Sequence, residues 1–133
     1  MPSISAEPAI PEADGQFLAS KGLDFSEEAL AGWRHFVFHD FVLPPAYTPR
    51  TCELLVRLPP GYPNASPDMF WTRPDIRLAA TGAWPARADV HEAHGGLTWQ
   101  RWSRHLPAAS WRAGIDNLQT YLAMVRRELQ KGL

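Results

Sequence analysis

A proline-punctuated apolar segment between Leu58 and Trp71 constrains the fold more than any other part of the chain. It contains four prolines, Pro59, Pro60, Pro63 and Pro67. Proline lacks the backbone N–H that a helix or a strand ladder needs, and it favours extended conformations in the residue before it. We therefore predict that this segment is a stiff, irregular crossover between two strands.

Apolar patterning on both sides of the crossover predicts an α+β fold with an antiparallel meander of about four strands. In the strand before the crossover, alternation places Cys52 on the face that we expect to be buried. The predicted elements are a short N-terminal helix over residues 12–20, strands over 25–30, 33–43, 51–58 and 68–72, a weakly pairing segment over 76–80, an irregular stretch over 81–94 and a long C-terminal helix over 114–130.

Length and composition narrow the class of protein. The 133 residues match the usual length of one domain, so we expect residues 12–133 to form a single domain behind a flexible N-terminus at residues 1–11. A net charge of −1 gives no electrostatic case for nucleic acid. The chain has one cysteine and neither a secretory signal nor a long apolar span, so we expect no membrane contact and a cytoplasmic location.

The stretch from His91 to His105 is the densest in reactive side chains, with three histidines, two hydroxyl residues, two tryptophans and two arginines. It matches no familiar zinc spacing and contains no Gly-x-Ser-x-Gly motif, so we predict neither a metal nor another cofactor. One interpretation is that the tryptophans are core residues. The other is a partner-binding surface, because tryptophan and arginine dominate protein interfaces; its residues would be Trp99, Arg101, Trp102, Arg104 and Trp111.

His39 and Asp40 form the other adjacent pair of titratable residues that we considered as a site. Neighbours in a strand point to opposite faces of the sheet, so these two side chains do not meet. We interpret both as structural residues.

Several segments together resemble a known family. The crossover from Leu58 to Pro67 and Trp111, which leads into the last helix, are similar to the ubiquitin-conjugating enzyme (UBC) superfamily. The resemblance is closest to the bacterial group called prokaryotic UBC family E, through three motifs: Pro67-Asp-Met-Phe-Trp71, Trp99-Gln-Arg-Trp-Ser-Arg-His105 and Ser110-Trp-Arg-Ala-Gly-Ile-Asp116. The resemblance implies a UBC-like fold. It also implies the partners of that group: a ubiquitin-like protein, a ThiF-type activating enzyme and a JAB-type peptidase.

The chain departs from the UBC pattern at the acceptor position. The family accepts the ubiquitin-like C-terminus on a cysteine, and this chain has none in the corresponding region. Gly95-Gly-Leu-Thr98 resembles the family's Gly-x-Ile-Cys and makes Thr98 the acceptor, whereas the distance back from Trp111 makes it Ser103. The family's His-Pro-Asn motif is also absent.

Two functions remain open. In the first, the chain is a carrier that holds a ubiquitin-like protein as an oxyester on Ser103 or Thr98, with His105 or His94 as the base, and with a nearby arginine offsetting the oxyanion. In the second, the chain is a binding or adaptor module for a ubiquitin-like protein or its activating enzyme. A third class, an interaction domain of the related RWD type, would bind neither.

Overall fold

The computed structural model describes residues 11–105 and 110–131, and within them the predicted α+β class is confirmed, with a short helix first and a long one last. The elements in chain order are α1 (Glu12–Lys21), β1 (Phe25–Leu30), β2 (Trp33–Val42), β3 (Tyr47–Thr48), β4 (Thr51–Leu58), β5 (Phe70–Arg73), β6 (Arg77–Leu78), β7 (Val90–His94), β8 (Leu97–Trp102) and α2 (Leu118–Lys131). Most of the predicted flexible N-terminus lies outside the described residues. That segment and the division into one domain stay predictions.

The main sheet is antiparallel and has six strands in the order β1-β2-β4-β5-β8-β7, while β3 and β6 form a separate two-stranded ladder. The predicted number of about four strands was therefore too low. The difference is the hairpin of β7 and β8, because β7 occupies part of the stretch 81–94 that we predicted to be irregular. The prolines connect β4 to β5, which are neighbours in the sheet, so the predicted crossover is confirmed.

The last helix begins at Leu118, four residues later than predicted. Asn117 Oδ1 accepts the Thr120 N–H at 3.1 Å, and Thr120 Oγ1 accepts the Asn117 N–H at 2.9 Å, so the two residues cap the helix reciprocally. Asp14 of α1 accepts the Leu118 N–H at 3.0 Å and the Tyr62 hydroxyl at 2.5 Å. This buried carboxylate therefore joins the first helix, the crossover and the start of the last helix.

The two helices pack on one face of the sheet and enclose the main core with it. Alternate residues of β4 point into this core, as the sequence pattern predicts, and Cys52 is among them. On the opposite face a smaller buried cluster forms from Leu55, Trp71 and Trp99, with Val37 and Met69 packed against it. Both faces of the sheet therefore bury apolar surface.

The sheet curls until its two edges approach each other. A methyl group added to Gly95, at the tip of the β7–β8 hairpin, would lie 3.7 Å from Glu28 Oε1 and 3.8 Å from Leu30 Cδ1 of β1. The rings of His35 on β2 and His94 on β7, two strands near opposite edges of the sheet, are 5.9 Å apart. The face that the helices leave free is therefore concave.

Candidate functional site

The predicted acceptor segment lies on the β7–β8 hairpin. Gly95 and Gly96 form its turn with φ of +60° and +80°, which glycine adopts without a steric penalty. Thr98 is exposed and pairs with Ala93 across the hairpin. Its hydroxyl thus sits on a regular strand, β8, beyond the stretch 81–94 that we predicted to be irregular.

Ser103 lies directly after β8 and is half-buried. Its backbone N–H donates to the Arg87 carbonyl at 3.0 Å, and its Oγ accepts a hydrogen bond from Arg101 Nε at 3.1 Å. A guanidinium group cannot take up a proton, so Arg101 cannot act as the base for this hydroxyl. The contact orients Ser103 without activating it.

The two histidines predicted as bases are paired with carboxylates. His94 Nε2 lies 3.2 Å from Glu92 Oε1, and His105 Nδ1 lies 2.8 Å from Asp68 Oδ1. The His105 pair is largely exposed, with 56% and 55% of the two side chains accessible. Neither histidine is hydrogen-bonded to a predicted acceptor hydroxyl, so the structure does not bring together the predicted acyl-transfer pairs.

Three of the side chains predicted to form a partner-binding surface are buried instead: Trp99, Trp102 and Arg104 are 2%, 0% and 4% exposed. Trp102 stacks on Phe70 at a ring distance of 5.3 Å and donates from Nε1 to Thr72 Oγ1 at 2.9 Å. These residues hold the fold together, and a partner cannot contact them directly. A tryptophan suits a core as well as an interface, so residue type alone did not distinguish the two.

Arg104 is held inside the fold by the end of the last helix and the loop before β7. Its Nη2 donates to the Ala86 carbonyl at 2.8 Å, and its Nη1 lies 3.3 Å from the Glu128 carbonyl. The Glu128 carboxylate lies 3.4 Å from Nη1 as well. Arg104 therefore ties β8 to α2.

The other two residues predicted for that surface remain partly accessible. Arg101 pairs with Glu92 at 2.7 Å, with 28% of its side chain exposed. Trp111 is half-buried; its Nε1 donates to the Pro63 carbonyl at 2.8 Å, and its ring lies 6.1 Å from that of Tyr62. Trp111 therefore clamps the proline crossover while keeping one edge on the surface.

Glu92 is the charged centre of the free face. Burial alone would raise the pKa of its carboxyl, but hydrogen bonds from Trp71, Arg101 and His94 outweigh burial and hold that pKa below its usual range. The carboxylate therefore stays ionised at neutral pH. The Glu92 carboxylate accepts hydrogen bonds from Trp71 on β5 and from Arg101 on β8, and so holds both side chains in place.

A groove of about 480 Å³ runs beside the start of the last helix. It combines aromatic, apolar and basic side chains. Its lining consists of Ser110, Trp111, Arg112, Asp116, Thr120, Tyr121, Ala123, Met124 and Arg127. Ile115, which lies between Arg112 and Asp116 in the sequence, is 60% exposed.

Cys52, the one cysteine of the chain, is buried in the main core. It lies on β4, which is separated from the β7–β8 hairpin by one strand, β5. Burial, reinforced by the charge of Glu53, raises the pKa of its thiol to about 12. Because the thiolate is the nucleophile, Cys52 is unsuited to accept an acyl group at neutral pH.

We expect folded Cys52 to react with iodoacetamide at about pH 8 at least about 100-fold more slowly than the same thiol in guanidinium chloride. The raised pKa and the buried position both lower the rate. Mass spectrometry over time measures the alkylated fraction, and the single cysteine makes the signal unambiguous. Equal rates in the folded and denatured states would contradict the buried assignment.

A second cleft, of about 390 Å³, lies on the concave face, and the sequence did not point to it. Ser26, His39 and Glu53 meet there. The sequence predicted His39 to be structural, because it cannot pair with its neighbour Asp40. Its partners come instead from two other strands, Ser26 from β1 and Glu53 from β4. No local motif signals this grouping, since it depends on the register of β1, β2 and β4.

Two kinds of site are missing from the part of the chain that the structure describes. No group of three or more His, Cys, Asp or Glu side chains there is arranged to hold a metal ion. Among the same residues, no helix has the length and apolar character needed to cross a membrane.

An antiparallel sheet covered on one face by two helices, with a proline crossover between central strands, places the chain in the UBC-like class of folds. The chain belongs to the prokaryotic E2 family E, whose family model matches residues 10–132. The resemblance inferred from the sequence motifs is thus confirmed. No curated protein and no solved structure gives a match. Family membership makes the chain an E2-like component of a conjugation pathway that works with ubiquitin-like conjugation machinery.

Proposed function

We propose that this chain is an adaptor that binds a ubiquitin-like protein or its ThiF-type activating enzyme and does not accept the acyl group at the family's acceptor position. The observation that carries the proposal is the environment of the two hydroxyls there. Ser103 Oγ accepts from a guanidinium group, and Thr98 stands on a regular strand. Neither hydroxyl is hydrogen-bonded to a histidine.

The chemistry of acyl transfer supports this choice. A serine or threonine hydroxyl is a weak nucleophile at neutral pH unless a base removes its proton, whereas a thiolate needs less help. The one thiol of the chain is in the core, with its pKa raised to about 12. Residues 106–109, Leu-Pro-Ala-Ala, contribute no nucleophilic side chain to the region.

The groove beside the last helix is the surface that we assign to the partner. Half-buried Trp111 supplies aromatic surface, and Arg127 is an exposed cation at its border. Tyr121 also lines the groove but is only 1% exposed. Exposed Ile115 adds an apolar anchor close by. Aromatic and arginine side chains around an apolar centre are the composition of binding hot spots. A JAB-type peptidase of the same pathway is a further partner that this surface would suit.

Calorimetry with the ubiquitin-like protein and the activating enzyme of the same organism tests the proposal. We expect a Kd in the micromolar range or below that is unchanged by Thr98→Ala and Ser103→Ala. The double variant Ile115→Ser with Arg127→Ser should weaken binding at least about tenfold, through loss of an anchor and a charge. Val42→Ser, a substitution of another exposed apolar residue, is the matched control and should leave binding unchanged.

The carrier function is the alternative outcome of a second assay. With ATP, the activating enzyme and the ubiquitin-like protein, we expect no hydroxylamine-sensitive adduct on Thr98 or Ser103. An adduct that disappears in Thr98→Ala or Ser103→Ala would overturn the adaptor proposal and establish an oxyester carrier. Binding to neither protein would overturn both functions.

A further inference from the structure

Three side chains on the concave face form a hydrogen-bonded chain of the Ser-His-acid type. Ser26 Oγ lies 3.1 Å from His39 Nε2, and His39 Nδ1 lies 3.0 Å from Glu53 Oε2. Both distances are within ordinary hydrogen-bonding range. A hydroxyl, an imidazole and a carboxylate connected in this order are the parts of an activated serine nucleophile.

The strands position each member of the chain. Ser26 is on the edge strand β1, opposite Val37, and its side chain is exposed. His39 lies within a register shift of β2, between Phe38 and Phe41, where Asp40 has a φ of +53°. The His39 N–H donates to the Asp24 carbonyl at 2.8 Å. This irregularity brings the imidazole between β1 and β4.

The carboxylate determines which imidazole nitrogen carries the proton. Because Glu53 can only accept when ionised, its contact with His39 Nδ1 favours the proton on that nitrogen. Nε2 is then left with a lone pair directed at the Ser26 hydroxyl. The other carboxylate oxygen of Glu53 is 3.4 Å from Arg73 Nη1, which keeps the carboxylate oriented.

The cleft beside the triad has the size and chemistry for a small acyl group. Its volume is about 390 Å³, and its walls include Val37, Leu55 and Leu97 as apolar surface. Glu27 and Glu28 lie at its border and would repel an anion. The site therefore fits an acyl ester or thioester that is uncharged or cationic.

We propose that Ser26, His39 and Glu53 form a serine-hydrolase site for small acyl esters or thioesters. Ser26 Oγ forms a bond to the acyl carbon while the bond from that carbon to the alcohol or thiol breaks. The Ser26 proton passes to His39 Nε2 and then to the leaving group. Water, deprotonated by His39 Nε2, next attacks the acyl carbon, the bond from that carbon to Ser26 Oγ breaks, and His39 returns the proton to Ser26 Oγ as the acid leaves. Glu53 is a positioning residue.

This activity goes beyond the adaptor function. The cleft lies on the face of the sheet opposite the helices, whereas the partner groove lies beside the last helix. The hydrolase needs no ubiquitin-like protein, so the failure of either proposal leaves the other untouched.

A fluorophosphonate probe and a p-nitrophenyl acetate assay on the full chain test the site. We expect the probe to label Ser26, as located by peptide mass spectrometry, and labelling to disappear in Ser26→Ala. His39→Gln should slow both labelling and ester hydrolysis about 100-fold, since it removes the base. Ser20→Ala, which changes another exposed serine hydroxyl, is the matched control and should not alter either rate.

Two measurements keep the outcome decisive. Thermal unfolding must show that Ser26→Ala and His39→Gln retain the fold; both side chains are accessible, so we expect little change. Glu53→Gln should lower kcat with KM unchanged, and Glu53→Asp should recover part of that kcat. Absence of labelling at Ser26 in the unmodified chain, or labelling that is insensitive to His39→Gln, overturns the proposal.

Discussion

Replacing Gln100 by leucine is expected to lower the free energy of unfolding by about 4 kcal/mol, because several buried polar groups lose their partners at once. The Gln100 side chain is fully buried on β8. Its Oε1 accepts from Thr72 Oγ1 at 3.0 Å and from the Ile76 N–H at 2.7 Å. Its Nε2 donates to the carbonyls of Ile76 and Ala88 at 3.0 and 2.8 Å.

Leucine has a similar volume to glutamine, so the substitution removes these hydrogen bonds without leaving a large cavity. Urea denaturation of the two proteins measures the difference. Gln119→Leu, an exposed glutamine on α2, is the matched control and should change stability by less than about 0.5 kcal/mol. If Gln100→Leu lowers the free energy of unfolding by less than about 1 kcal/mol, the hydrogen bonds of Gln100 do not hold β5 and the loop before β7 together as we expect.

His35 is expected to make the fold about 3 kcal/mol less stable at pH 4 than at pH 7. Burial, together with the charges of Arg57 and His94, lowers the pKa of this histidine from 6.5 to about 4. Its Nε2 accepts a hydrogen bond from Arg57 Nε at 3.2 Å, which requires the neutral ring. The unfolded chain takes up a proton near pH 6.5 and the folded protein only near pH 4, so the stability is lost as the pH falls between these values.

The measurement compares the original chain with His35→Gln by urea denaturation across this range of pH. Glutamine keeps an oxygen that can accept from Arg57 and has no proton to gain, so the difference between the two proteins isolates the histidine. We expect the variant to lose about 3 kcal/mol less on acidification. Parallel curves for both proteins would contradict the assignment of a neutral, buried His35.

The elements that could be predicted from the sequence are those whose stability is local. Alternation in β4 placed Cys52 in the core, and Gly22 ends α1 in the left-handed conformation that glycine favours. The prolines between Leu58 and Trp71 could not belong to a central strand. Each of these features depends on residues that are neighbours in the sequence, so it can be inferred without knowing the fold.

The elements that could not be predicted depend on distant partners. β7 is an edge strand of mixed polar and charged residues, and it forms because β8 pairs with it through the turn at Gly95 and Gly96. The C-terminal helix begins late because Asn117 caps it and Asp14 reaches its first N–H. Neither partner is visible in the apolar spacing of the helix itself.

The candidate sites divide in the same way. Density of tryptophan and arginine singled out the stretch from Trp99 to Arg104, but burial decides whether such residues recognise a partner or support the fold, and burial follows from β8 being an inner strand. The Ser26, His39 and Glu53 grouping depends on a register shift inside β2. Spacings in the sequence carry no record of that shift.

The carboxylate of Asp14 couples the first helix, α1, to the last helix, α2. A residue near the beginning of the chain completes the first turn of a helix that begins 104 residues later. A protease that cuts within α1 would therefore also loosen the far helix, together with the groove beside it. The groove that we propose for partner binding thus depends on the integrity of the N-terminal helix.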